Sequence, residues 1–153
     1  MSIANVIEYL KDQIDQTDIT LRKGASVSLI SEFERATNVR LPNDIKQFYQ
    51  FSNGFDSAEY LFNIIPLERM IEDIEMSRAK HLYLAEYLIY SDTWELEIAT
   101  DSFDNYKISN TNHDSEQVVL TNSFAEFLER YLTGGVFKPR GLYDWYNENK
   151  PKS

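Results

Sequence analysis

The block from Glu32 to Gly54, EFERATNVRLPNDIKQFYQFSNG, constrains the fold more than any other part of the chain, because it holds two helical patterns and the stops between them. Pro42 lacks an N–H and has φ already near the helical value, so it suits the first position of a helix. Asp44 just behind it faces the positive end of the macrodipole. Leu41, Ile45, Phe48 and Tyr49 recur at helical spacing and give that helix one apolar face. Asn53-Gly54 also has the form of a hairpin turn, but the helical pattern before it favours a left-handed C-terminal cap on Gly54.

Upstream, Ile3, Val6, Ile7, Leu10 and Ile14 predict a helix with a narrow apolar stripe that packs on the flank of the domain. Thr17 to Gly24 carries turn and polar residues, with a break at Gly24-Ala25. Ser26 is placed as the N-cap of a second helix whose buried face is Val27, Ile30, Phe33 and Thr37. Downstream, the apolar run Tyr60 to Ile65 predicts a short strand covered on both sides and ended by Pro66. Leu67, Met70, Ile71 and Ile74 then return to helical spacing, with Glu68, Glu72, Asp73 and Glu75 outside.

From Tyr87 the period changes to two. Tyr87-Leu88-Ile89-Tyr90 is apolar throughout, Trp94, Leu96 and Ile98 alternate with Glu95 and Glu97, and Tyr106 and Ile108 flank Lys107. Asp101 to Asn105 and Asn110 to Ser115 are turn-rich, so successive short antiparallel strands follow, closed by Gln117 to Leu120. Ser123-Phe124-Ala125-Glu126 is a capping box ahead of an apolar stripe of Phe124, Phe127, Leu128, Tyr131 and Leu132, stopped by Gly134-Gly135. The remaining stretch, Val136 to Asn149, carries Phe137, Leu142, Tyr143, Trp145 and Tyr146 and is too aromatic for a solvated tail.

The order of these signals resembles the Smi/Knr-type domain of the SUKH superfamily, found in fungal cell-wall-assembly regulators and bacterial immunity proteins. The shared pattern is an acidic residue in a helix (Glu32 or Glu34 here), Leu41-Pro42, an acidic-aromatic helix with Asp44, Phe48 and Tyr49, and Asn53-Gly54. Ile64-Ile65-Pro66-Leu67 and Ser123 to Leu128 agree with it, so the resemblance is strongest over residues 27–132, with 134–149 an aromatic C-terminal extension. Two positions depart from the pattern: Asn38 stands where a small Gly-like residue often precedes Leu-Pro, and Ser91-Asp92-Thr93 replaces a Gly-rich turn in the sheet. The fold expected is α+β, a twisted, mainly antiparallel sheet with helices packed mostly on one face.

No repeat, low-complexity tract or linker divides the 153 residues, which read as one domain. The hydrophobic share of 42% supports a packed globule, and no run approaches the ~18 apolar residues of a membrane span. With no secretory pattern at the N-terminus and no cysteine, disulfides and thiolate sites are excluded and a cytoplasmic protein is expected. A net charge of −10 repels phosphate backbones and favours a basic protein partner over nucleic acid.

Catalytic motifs are absent. His81 and His113 stand far apart in no ligand spacing, no G-x-S-x-G or phosphate loop occurs, and neither metal nor cofactor is expected. Asn110, Asn112, Asp114 and Glu116 alternate like the start of a calcium loop, but Ser115 and Thr121 occupy the positions that need glycine and a bidentate carboxylate. Function is therefore sought in surfaces, not in chemistry. Glu95 and Glu97, with Asp92 nearby, are expected on the sheet face opposite Trp94, and Tyr90, Tyr106, Tyr143 and Trp145 are candidate aromatic anchors.

The resemblance implies an immunity protein that binds and occludes a cognate toxin, often a basic nuclease, without catalysis. A regulatory interaction module for endogenous partners is the alternative, and a small carboxylate-dependent enzyme the second.

Overall fold

The structure, a computed structural model describing residues 1–58, 61–77, 82–101, 104–110 and 116–151, sets six α-helices against one seven-stranded sheet. The strands follow each other across the sheet in chain order and every pair is antiparallel. The expected α+β class holds.

Helix α1, Ile3–Gln13, buries Ile3, Val6, Ile7 and Leu10, and Ser2 Oγ caps it by accepting from the Asn5 amide at 3.2 Å. A single 3-10 turn, Ile14–Gln16, ends the stripe one residue short of Ile14. Strand β1, Ile19–Leu21, lies inside the segment read as turn and polar residues; three residues are too few to display a period of two. Helix α2, Val27–Thr37, starts on Ser26 as expected and buries Ile30 and Phe33, but Val27 is 78% exposed. It ends on Asn38 at φ 58, which explains the first departure from the family pattern: asparagine is the usual substitute for glycine in that backbone region.

Helix α3, Asn43–Phe51, buries Ile45, Phe48 and Tyr49, with Leu41 buried just before it. Pro42 holds the N-cap position and not the first helical one. The Leu41 amide, left without a helical partner, donates to Glu34 Oε2 at 2.8 Å, so Glu34 and not Glu32 is the acidic residue tied to the Leu-Pro corner. The helix stops three residues before Gly54, where the Ser52 amide donates to Phe48 O at 2.8 Å. Gly54 is therefore no helix cap. It sits at φ +83 leading into β2, Phe55–Ser57, and a Cβ there would lie 2.3 Å from Ile64 O, so both torsion and space demand glycine. Asn53 acts elsewhere, since its Oδ1 accepts from the Leu67 amide at 3.0 Å and so covers an orphan N–H at the start of α4, Leu67–Ser77.

The run expected to be one strand from Tyr60 is β3, Phe62–Ile64; Tyr60 itself lies outside the described residues. The largest correction falls on Tyr87 to Tyr90. Strand β4, Leu82–Tyr87, ends where that run begins, and Leu88, Ile89 and Tyr90 follow at φ 50, 50 and 61 as a left-handed turn. Strand β5, Asp92–Ile98, begins straight after, so the turn precedes Ser91-Asp92-Thr93 instead of occupying it. Strands β6, Tyr106–Asn110, and β7, Val118–Thr121, complete the sheet.

Cross-strand register puts Phe55, Ile64, Ala85 and Trp94 on one face, with Phe62 and Tyr87 in line. Helices α1 and α3 cover that face together with α5, Phe124–Gly134, and α6, Leu142–Asn149. Phe48 of α3 meets Phe55, Tyr131 of α5 stacks on Phe62 at 4.2 Å, and Phe127 lies 6.3 Å from Trp94. Helix α4 runs beside β4, where the ladder is irregular between Tyr83 and Ala85, and α2 packs on α4. The capping box before α5 is half formed. Ser123 Oγ accepts from the Glu126 amide at 3.2 Å, but the serine's own N–H donates to Thr121 Oγ1 at 3.0 Å.

Candidate protein-binding surface

Since four helices fill one side of the sheet, the position of each candidate depends on which way its strand residue points. On the open side, register aligns Asn63, Glu86 and Thr93 across β3 to β5, and Tyr83, Glu95, Ser109 and Val119 across β4 to β7. Glu97 pairs with Lys107 on the same side. Glu95 is half-buried and accepts from Gln117 Nε2 at 3.2 Å, while Glu97 is exposed. Both carboxylates therefore project from a rigid strand away from Trp94, as the alternation predicts.

Asp92 does not join them. Positions 92 and 94 share a parity, so Asp92 points with Trp94 into the helix side and is only 4% exposed. Its Oδ2 accepts from the Tyr143 hydroxyl at 2.6 Å and its Oδ1 from the Thr93 amide at 2.9 Å and Asn110 Nδ2 at 3.1 Å. Burial, and then the bond to Asp92, hold the Tyr143 phenol well above its usual range. The Tyr143 ring also stacks on Trp94 at 6.0 Å, so this pair clamps α6 to the sheet.

Tyr106 and Trp145 are buried in the same way. The Tyr106 hydroxyl donates to the Asp44 carboxylate and accepts from the Phe124 amide at 2.6 Å, joining the N-terminal ends of α3 and α5. Its phenol is raised far above the ordinary value, first by burial and then by Asp44. Asn43 adds to that corner by donating from its amide and its Nδ2 to the Asp104 carboxylate at 2.6 and 2.9 Å, a negative group at a helix start. Trp145 packs 6.4 Å from Phe127 with the Arg130 guanidinium 5.5 Å above its ring.

Tyr90 lies on the open side and belongs to a network that sequence reasoning missed. Its centre is Glu86, a carboxylate only 3% exposed. Glu86 Oε1 accepts from Asn63 Nδ2 at 2.8 Å, and Oε2 accepts from the Tyr90 amide at 3.0 Å beside the Arg69 guanidinium at 3.4 Å. The Tyr90 hydroxyl donates to Asp73 Oδ2 at 2.7 Å, and Arg69 lies 5.0 Å over the ring. Burial and the Asp73 bond push the Tyr90 phenol up to about 12, against the opposing pull of Arg69. No local pattern pointed here: Glu86 reaches this side through its pairing with Thr93 across the β4–β5 hairpin, whose turn the sequence reads as strand.

Beside Glu95 and Glu97, a cleft of about 620 Å³ opens between the end of α2 and β5, lined by Val39, Ile74, Leu82, Leu96 and Ile98 as well as the two carboxylates. Among the described residues no cluster of His, Cys, Asp or Glu is set to hold a metal, and no helix is long and apolar enough to cross a membrane. His81, His113 and the centre of the Asn110 to Glu116 loop lie outside those residues. The surface can therefore offer carboxylates on strands, an apolar cleft and a fixed turn, which suits recognition by contact.

A sequence model describing the SMI1 / KNR4 family (SUKH-1) matches residues 24–130. No curated protein matches the sequence.

Proposed function

Because the chain belongs to the SMI1 / KNR4 family (SUKH-1), we propose that it acts in the bacterial cytoplasm as an immunity protein, binding a toxin domain on the open face of its sheet and covering the toxin's working cleft. The observation that supports this reading is the division of β5: Asp92, Trp94 and Leu96 are buried on the helix side, while half-buried Glu95 and exposed Glu97 project from the other side of a rigid strand. Carboxylates held there lose little freedom on binding. A net charge of −10 steers a basic partner inward, raising association rates by roughly 10–1000-fold at low salt. The 153 residues hold no cysteine, which suits a reducing compartment. Inhibition by occlusion asks no catalysis of the chain.

The test pairs this chain with the toxin domain encoded beside its gene. Co-expression should restore growth to cells making the toxin, and titration calorimetry should show one-to-one binding. A toxin that kills equally well in the presence of the folded chain, with no heat of binding, overturns the immunity role.

A further inference from the structure

The turn between β4 and β5 is built against local preference. Leu88, Ile89 and Tyr90 stand consecutively at φ 50, 50 and 61, and Leu61 in the neighbouring turn is at φ 51. Such torsions suit glycine or asparagine, and for a β-branched isoleucine they are a true outlier. Nor does burial compensate, since Ile89 is 87% exposed, Leu88 41% and Leu61 53%. Of the eight large apolar side chains exposed among the described residues, these three and Phe137 gather at one end of the sheet; the Phe137 ring lies 5.2 Å from Tyr87, next to Leu88. The other four are scattered, so this grouping is a patch and not background.

The turn is also held firmly from below. The Leu88 amide donates to Leu61 O at 3.0 Å, linking the two turns, and the Ser91 amide and hydroxyl both donate to Leu88 O at 3.1 and 2.8 Å. Tyr90 is fastened through its amide to the buried Glu86 and through its hydroxyl to Asp73. Strained torsions persist where surroundings over-determine them, and they collect at sites of recognition. Here the surroundings fix two branched aliphatic side chains in solvent, already ordered for binding.

We propose that the Leu88–Ile89 turn, with Leu61 beside it, is an apolar anchor that inserts into a cavity on a basic protein. This deepens the binding role above and rests on it. Leu61, Leu88 and Ile89 border a shallow cleft of about 300 Å³ with Thr20, Asp56 and Asn63, and Ile89, at 87% exposure, is the side chain most open to a concave site on a partner. The sign of the partner follows from what adjoins the turn: β5 leads from it along the open face to Glu95 and Glu97, about 13 and 20 Å from Ser91 at ~3.3 Å per residue, within the span of one ordinary interface. A second copy of this chain, also at −10, and an anionic lipid surface are both repelled by the same field.

The experiment uses the full chain with Ile89→Asn, which suits the left-handed torsion and removes the apolar tip, and Val27→Asn as an exposed apolar control. Ile89→Asn should melt no lower than the parent; a melting temperature several degrees lower makes Ile89 part of the fold and overturns the proposal. Binding to the purified toxin domain should weaken at least tenfold, mainly through faster dissociation, while Val27→Asn binds as the parent does. Equal affinity for parent and Ile89→Asn overturns the anchor and leaves the immunity role standing. If the parent itself does not bind the toxin domain, the immunity role falls, and the anchor is judged with benzoylphenylalanine at position 89 or 27 in the source cells. A basic protein crosslinked at 89, absent at 27 and displaced by excess parent chain but not by Ile89→Asn, upholds it. No crosslink specific to 89, a dimer that Ile89→Asn dissolves, or sedimentation with phosphatidylglycerol vesicles each overturns it.

Discussion

Asp92 and Glu95 stand three positions apart on one strand, and the structure gives them opposite surroundings. Asp92 faces the helices, is buried, and has both oxygens engaged by Tyr143, Thr93 and Asn110. Glu95 faces the open side, half-buried, where Gln117 Nε2 donates to it at 3.2 Å. A carboxylate sealed from water must be matched by donors, and removing one donor leaves a desolvated oxygen unmatched; a carboxylate near water loses little when its neighbour changes. The same side-chain chemistry therefore serves cohesion on one face and remains available for contact on the other. Charge at a sheet surface acquires its role from the parity of its position.

The contrast is tested most severely by removing what seals the helix face. Deleting residues 136–153 strips α6 from Trp94 and loses the burial of Val136, Leu142, Trp145 and Tyr146, each worth about 1.5–3 kcal/mol. Calorimetry should show the melting temperature falling by ~10 °C or more. An unchanged melting temperature would show that the extension contributes nothing to that face. Next in size is Gly54→Val, which forces a Cβ to within 2.3 Å of Ile64 O at φ +83; the loss should be about 3 kcal/mol, read as a lower urea midpoint.

Tyr143→Phe keeps the ring on Trp94 but takes one donor from buried Asp92, and should lower stability by about 1–3 kcal/mol in urea unfolding. The matching change on the open face, Gln117→Ala beside Glu95, should stay within about 0.5 kcal/mol. Equal losses from the two changes would erase the distinction between the faces.

Tyr90 offers a smaller, pH-dependent test on the open side. A phenol raised from 10.0 to about 12 holds its proton more tightly in the fold than in the unfolded chain. Its contribution is thus complete below pH ~10 and is lost as pH rises through 12. Tyr90→Phe should flatten that part of the fall in stability and remove one late-titrating phenol from the absorbance titration near 295 nm. Glu95→Lys with Glu97→Lys sets a lysine opposite Lys107 and should cost no more than about 1 kcal/mol, while association with the proposed toxin domain should slow and its salt dependence flatten. Unaltered stopped-flow rates would move the contact off this part of the sheet.

How much could be read beforehand differs by element. The helix stripes and the Ser26 and Ser123 starts were legible because the contacts that make them span only three or four residues; the Ser2 cap of α1 has the same span but carried no sequence expectation. Strand β5 was legible because seven residues are enough to show alternation. Strands β1 and β2, at three residues each, exist because they pair with one another, and no local pattern announces such a partner. Leu88-Ile89-Tyr90 carried a strong strand signal that the fold overrides, with the turn fastened by Glu86 and Leu61 from other segments. Of the site candidates, the outward set of Glu95 and Glu97 followed from parity. Asp92 was assigned to the wrong side because its nearness in sequence outweighed its parity.

By itself the sequence determined the class of the fold, the Leu-Pro corner, the positive φ at Gly54 and the acidic field, since each depends on local torsion, short-range periodicity or summed charge. Only the tertiary structure decided which acids are sealed and which are open, that Glu34 serves Leu41, and that Glu86 underlies an apolar turn. Those outcomes depend on groups far apart in the chain being desolvated together, and desolvation is a property of the packed layers and not of any one segment.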